Sequence, residues 1–142
     1  MTIAKATISK DAYGKLLRLT KEHAPRIVCG FLVGKKDEEA VSVEEVYDLR
    51  TKSDFMIHFQ PVFSEFRRVS GELEKRGRKI VGEFHTHPTG GPEPTKRDRT
   101  IMSRVKFGFW IIATENSVQA MEFEASEMWG SVNIKKVTIE VV

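Results

Sequence analysis

Apolar positions along the chain follow two periods, and the change from one to the other marks out the elements. Over residues 9–23, Ala12, Leu16, Leu19 and His23 recur on one side of a helix, with Ser9 placed to cap it and Pro25 to end it. Residues 27–34 are a continuous apolar run of strand length, closed by Gly34 and a charged turn, which predicts a strand buried on both faces. Shorter β-rich stretches follow at 41–49 and 54–59. Pro61 then stands where helices begin, and Val62, Phe66, Val69 and Leu73 keep helical spacing up to Gly77. Residues 79–87 read as a strand and residues 95–105 as a helix. Three strands, at 107–114, 118–124 and 132–141, complete the chain, the first two joined through Glu115-Asn116-Ser117.

This order of elements predicts a mixed sheet with helices on its faces, in the α+β or α/β class. The 142 residues form one domain, 1–142, with no repeat or linker, and a chain of this length can bury a core without disulfides. The net charge of +3 is spread among interleaved acids and bases, whereas a nucleic-acid-binding surface concentrates one sign. The densest basic stretch, Glu74 to Lys79, reads as a solvated helix end and turn. Cys29, the single cysteine, excludes an internal disulfide and sits in an apolar run, as a buried thiol would. No apolar leader or membrane-length segment occurs, so the expected location is cytoplasmic, with no membrane partner.

Candidate chemistry is concentrated in Gly82-Glu83-Phe84-His85-Thr86-His87-Pro88 and the loop after it, which holds Pro92 and Pro94. Alternate strand residues point the same way, so His85 and His87 can converge on one ion, and Pro88 places them at a strand's end. A helix starting at Thr95 sets Thr95, Asp98, Met102 and Val105 on one stripe, with Ile101 beside them, which turns the Asp98 carboxylate inward beside apolar side chains. An inward carboxylate needs a partner. Two histidines and one carboxylate suit Zn2+ with one position left open, the arrangement of a hydrolytic site. The same residues allow simpler readings. His-x-His can be a pair of edge-strand histidines, and Thr95-x-x-Asp98 also has the spacing of a capping box. His23 and His58 show no partner pattern.

His85-Thr86-His87-Pro88, six residues, then Thr95-Lys96-Arg97-Asp98 resembles the JAMM (MPN+/JAB) metalloprotease motif, His-(Ser/Thr)-His-Pro-x6-(Ser/Thr)-x-x-Asp. Cys29-Gly30-Phe31-Leu32-Val33-Gly34 is similar to that family's Cys-Gly-Leu-Leu-x-Gly strand, and the layout of elements matches over nearly the whole chain. The resemblance implies a deaminase-like fold with a curved mixed sheet and zinc held by His85, His87 and Asp98. It also implies cleavage of isopeptide or C-terminal peptide bonds of ubiquitin-like or sulfur-carrier proteins. Thr95 would take the place of the family's serine, whose side chain helps stabilise the tetrahedral intermediate.

One position departs from the family pattern. Its general-base Glu, in Pro-x-Glu-x-Cys-Gly, is replaced in Pro25-Arg26-Ile27-Val28-Cys29-Gly30 by Ile27. Loss of a general base commonly slows a reaction by ~10²–10⁴. Glu83, two residues before His85 and on the same strand face, is the best candidate substitute; the simpler readings are a partner fixing the His85 tautomer or an inward Glu paired with an Arg. Glu22 lies on the preceding helix and would need another path. Two alternatives to an active hydrolase follow. One is a metal-binding scaffold or interaction module with little turnover. The other is a DNA-repair-associated protein, because the stretch from His87 to Thr95 resembles the RadC proteins. A zinc deaminase would need a second cysteine.

Overall fold

The structure, a computed structural model, describes residues 3–49, 61–102, 108–125 and 132–142. Among these residues eight strands and three helices follow one another as β1 (Lys5–Ile8), α1 (Lys10–His23), β2 (Cys29–Lys36), β3 (Ala40–Asp48), α2 (Pro61–Glu74) and β4 (Ile80–Thr86). Then come α3 (Lys96–Met102), β5 (Phe109–Ala113), β6 (Val118–Ala125), β7 (Val132–Val137) and β8 (Ile139–Val141). The strands form one mixed sheet in the order β7-β6-β5-β4-β2-β3-β1-β8, with β4 parallel to β5 and antiparallel to β2. The expected mixed-sheet class holds.

Two apolar cores lie on the two faces of the sheet. On one, Ala12, Leu16 and Leu19 of α1 pack with Ile8, Val43, Phe84 and Ile111. On the other, Val69 and Leu73 of α2 and Met102 of α3 pack with Phe31, Trp110, Ile112 and Met121. Of the helical stripes read from the sequence, Ala12, Leu16, Leu19, Val69, Leu73, Asp98 and Met102 become buried, whereas Thr95 is exposed. His23 is half-buried at the end of the first stripe, and Phe66 stays 39% exposed while stacking edge-on against Phe31. Covered on both sides and flanked by β2 and β5, every residue of β4 is buried.

Several boundaries differ from the sequence reading. β1 was not anticipated: four residues are too few for a period to emerge, yet β1 is paired on both sides, parallel to β3 and to β8. The single strand expected over 132–141 is two strands at opposite edges of the sheet, joined through Thr138 alone. A one-residue link between the two edges requires them to approach each other, so the sheet curls until it is nearly a barrel. β2 begins at Cys29 and runs on to Lys36, so Ile27 and Val28 precede it. The stretch at 54–59, His58 and the end of the helix expected to reach residue 105 lie outside the described residues. Among the described residues no helix is long and apolar enough to cross a membrane.

Candidate metal centre

The strand carrying the two histidines contains a bulge that decides which way they face. Leu32 pairs with Gly82 but Val33 pairs with Ile80, so Val81 is an extra residue in β4. Val81 turns to the α1 core, while Ile80 shares the α2/α3 face with Glu83 and His85. Register then sets the neighbours: Glu83 lies between Phe31 and Trp110, and His85 between Cys29 and Ile112. The same register, carried past β2 by the hydrogen bonds Val28 N to Thr86 Oγ1 and Thr86 N to the Val28 carbonyl (both 2.9 Å), puts Ile27 opposite His87.

His85, His87 and Asp98 come together at the end of β4. His85 Nε2 lies 3.2 Å from His87 Nε2 and 3.2 Å from Asp98 Oδ2, and His87 Nε2 lies 2.9 Å from the same oxygen. All three residues are buried. The short helix α3 delivers Asp98 through a reciprocal cap: the Asp98 N–H donates to Thr95 Oγ1 (3.1 Å), and the Thr95 N–H donates to Asp98 Oδ2 (2.9 Å). The capping reading of Thr95-x-x-Asp98 and the inward carboxylate are therefore one arrangement. Thr95 itself is exposed at the cap, not on the inward stripe with Asp98 and Met102.

Tautomer and charge follow from the partners. His87 Nδ1 lies 2.8 Å from the Gly91 carbonyl oxygen, which can only accept, so Nδ1 carries the hydrogen. Neutral His87 therefore aims a bare Nε2 lone pair at a carboxylate oxygen and at a second imidazole nitrogen. Three electron-pair donors converging in a buried space require a proton or a cation among them. In the metal-free protein burial alone would lower the His87 pKa, but the Asp98 hydrogen bond and the Gly91 carbonyl outweigh it and raise it. Burial likewise disfavours the Asp98 charge, yet its bonds from His85 and His87 hold its carboxyl well below the usual carboxylate range. Full burial pushes His85 down, toward the neutral form that ligates metals.

The donor set fits a metal on its dimensions as well. Ligand atoms ~2.0–2.1 Å from a tetrahedral ion stand about 3.3 Å apart, close to the 2.9–3.2 Å seen among these three atoms. Glu83 does not belong to that triangle. It is buried, with Phe31 and Trp110 as its register neighbours, its Oε2 has no hydrogen-bond partner among the described residues, and burial pushes its pKa up to about 8. Glu22 is exposed on α1. Sequence reasoning missed the Gly91 carbonyl, which orients His87; only the closeness of Gly90-Gly91 to the histidine pair hinted at it.

Two histidines and an aspartate at the end of a central strand define an α+β domain built around a site able to hold a metal ion. The chain belongs to the prokaryotic homologs of the JAB domain, whose description matches residues 9–126. A desampylase of Haloferax volcanii is 26% identical over 132 residues, covering 89% of this chain and 94% of the relative. A desampylase of Pyrococcus furiosus is 31% identical over 88 residues, covering 62% and 59%. Among solved structures, a Desulfitobacterium hafniense protein superposes with a TM-score of 0.77 at 20% identity, covering 96% of this chain and 94% of that one. A JAB1/MPN domain protein of Archaeoglobus fulgidus does so at 0.59 and 20%, covering 97% of each chain. A structure described as a metalloprotease-like zinc site in the proteasome and signalosome reaches 0.56 at 21%, covering 99% and 98%. The fold is thus the JAB/MPN fold.

Proposed function

We propose that this chain is a zinc-dependent hydrolase of the JAMM type, cleaving isopeptide or C-terminal peptide bonds of ubiquitin-like or sulfur-carrier proteins. The observation that carries the reading is the convergence of His85 Nε2, His87 Nε2 and Asp98 Oδ2 in a buried triangle. Similarity to two proteins named desampylases supports the substrate class.

His85, His87 and Asp98 would hold the ion. Zinc there supplies a Lewis acid for the scissile carbonyl and an activated water at neutral pH. The chain's own groups do the rest. Thr95 Oγ1 accepts the Asp98 N–H, which leaves the hydroxyl proton to donate toward negative charge developing on the substrate oxygen. Glu83 is the proton acceptor in this proposal: it shares the strand face of His85, and because burial raises its pKa to about 8, the ionised form able to accept a proton grows as pH rises toward 8. The Gly91 carbonyl keeps His87 in the tautomer that presents Nε2.

A second reading, metal binding with little turnover, is favoured by Ile27, an aliphatic side chain placed opposite His87 where the family's base would stand. One experiment separates the two. The wild type, Glu83→Gln and Ile27→Glu are loaded with zinc and tested on a ubiquitin-like protein fused to a short C-terminal extension. Cleavage by the wild type that falls at least ~10²-fold in Glu83→Gln, with zinc retained, is the expected result. Wild-type inactivity rescued by Ile27→Glu establishes the second reading, and inactivity of all three despite bound zinc overturns the hydrolase reading.

A further inference from the structure

Between Arg99 of α3, the Glu93-Pro94 segment and strands β6 and β7 lies a cleft of about 140 Å³, lined by Glu93, Pro94, Arg99, Gln119, Met121, Ile134 and Lys136. Its position follows from register. Across the α2/α3 face, His85 stands beside Ile112 and Ile112 beside Gln119, while Trp110 stands beside Met121 and Met121 beside Lys136. The cleft floor is therefore the same sheet face that bears His85, displaced by two to three strand spacings, about 10–14 Å. One wall is Arg99, the residue next to the ligand Asp98. The other wall is Glu93 and Pro94, from the loop whose Gly91 carbonyl orients His87.

The charges in this cleft do not cancel. Glu93 Oε1 is taken by Lys136 Nζ at 3.0 Å, so those two neutralise each other. Arg99 makes no ion pair among the described residues. A basic side chain entering the cleft would meet Arg99 with no free carboxylate opposite. An acidic one would meet a planar guanidinium able to bind it through two parallel hydrogen bonds, beside Met121 and Ile134 that can cover its methylenes. The volume suits one side chain; ligand pockets are usually ~300–1,000 Å³.

We propose that this cleft, with Arg99 as its cation, receives an acidic side chain of the substrate chain near the cleaved bond. An extended chain advances ~3.4 Å per residue, so an offset of about 10–14 Å corresponds to about the third or fourth residue from the scissile bond. Arg99 is thus a specificity residue for the site. The inference rests on the hydrolase reading above for its substrate but not for its binding.

The test uses fluorescent fusions of a ubiquitin-like protein to a short extension, each with one Glu, Ala or Lys at the second, third or fourth residue on either side of the junction. Binding to the metal-free protein is read by anisotropy, and cleavage is read separately on the zinc-loaded protein. The expected result is about five- to tenfold tighter binding of Glu over Lys at one position. That preference should disappear in Arg99→Ala, persist in Arg99→Lys with a smaller ratio, and invert in Arg99→Glu. Equal binding of the Glu and Lys fusions to the wild type, no binding of any fusion, or a Glu preference surviving in Arg99→Glu each overturns the proposal. Cleavage without charge preference overturns the cleft and leaves the hydrolase standing. Arg99-dependent binding without cleavage does the reverse.

Discussion

Oδ2 of Asp98 receives the Thr95 N–H and also faces both imidazole Nε2 atoms, so one oxygen serves as helix cap and ligand atom together. The two duties can be separated by chemistry. Asp98→Asn keeps an oxygen for the Thr95 N–H but removes the charge, and it is expected to lose bound zinc and, with the charge-assisted bonds from the two histidines gone, to melt below the metal-free wild type but above Asp98→Ala. Asp98→Ala loses zinc and about 1 kcal/mol of cap stability as well. Elemental analysis beside thermal melting checks both, and zinc retained near one per chain in Asp98→Asn would remove the aspartate from the ligand set. Glu83 makes a prediction of its own. Its folded pKa of about 8 exceeds its ordinary 4.5, so the folded protein binds this proton more tightly than the unfolded chain does. The stabilising contribution is full below pH ~4.5 and is lost as pH rises toward 8, on the order of 5 kcal/mol in all. Glu83→Gln stays neutral throughout. Urea unfolding of the metal-free proteins at pH 5 and pH 8 should therefore show a larger loss in the wild type than in the variant.

At the scale of elements, the metal residues depend on how tightly β4 lies against β5. Gly82 leaves no room for a side chain between them: a Cβ there would meet the Phe109 carbonyl oxygen at 2.5 Å and a carbon of its ring at 2.9 Å. Both atoms belong to a buried residue of the adjoining strand, so Gly82→Ala must push β4 away from β5, at a cost of about 2–3 kcal/mol or more. The expected outcome is a lowered urea midpoint and weakened zinc binding, although the substituted residue touches none of the ligands. Zinc affinity and midpoint both unchanged would mean that the sheet absorbs the shift. Legibility in the sequence varied between elements. Residues 79–87 declared a strand by composition and a histidine pair by spacing. The bulge at Val81, which aligns Glu83 and His85 with Ile80, leaves no mark in the pattern. α3 was legible at its start from Thr95 and Asp98, because caps are local. β1 was not, because its stability comes from strands remote in sequence.

For the molecule as a whole, the metal-free site confines a carboxylate and two imidazoles with only protons to separate them, so an ion bound there should stabilise the entire fold. Zinc at about 1,000 times its dissociation constant adds ~4 kcal/mol, which for a domain of this size raises the melting temperature by on the order of 10–15 °C. The His85→Ala/His87→Ala double variant should show no such rise. A rise of equal size in that variant would place zinc elsewhere on the chain.

The sequence by itself determined the chemistry: two histidines at strand spacing, a proline that stops the strand, and a capped aspartate whose helical stripe turns it inward. These are relations over at most a few turns or a few strand residues, and local stereochemistry settles them. The tertiary structure decided which face His85 and Glu83 occupy, that Ile27 stands opposite His87, and that the two last strands close the sheet from opposite edges. It also decided that Arg99, among the described residues, has no ionic partner in its cleft. Each of these depends on the register between strands distant in sequence, which is set by how the two cores pack across the sheet and not by any neighbouring residue.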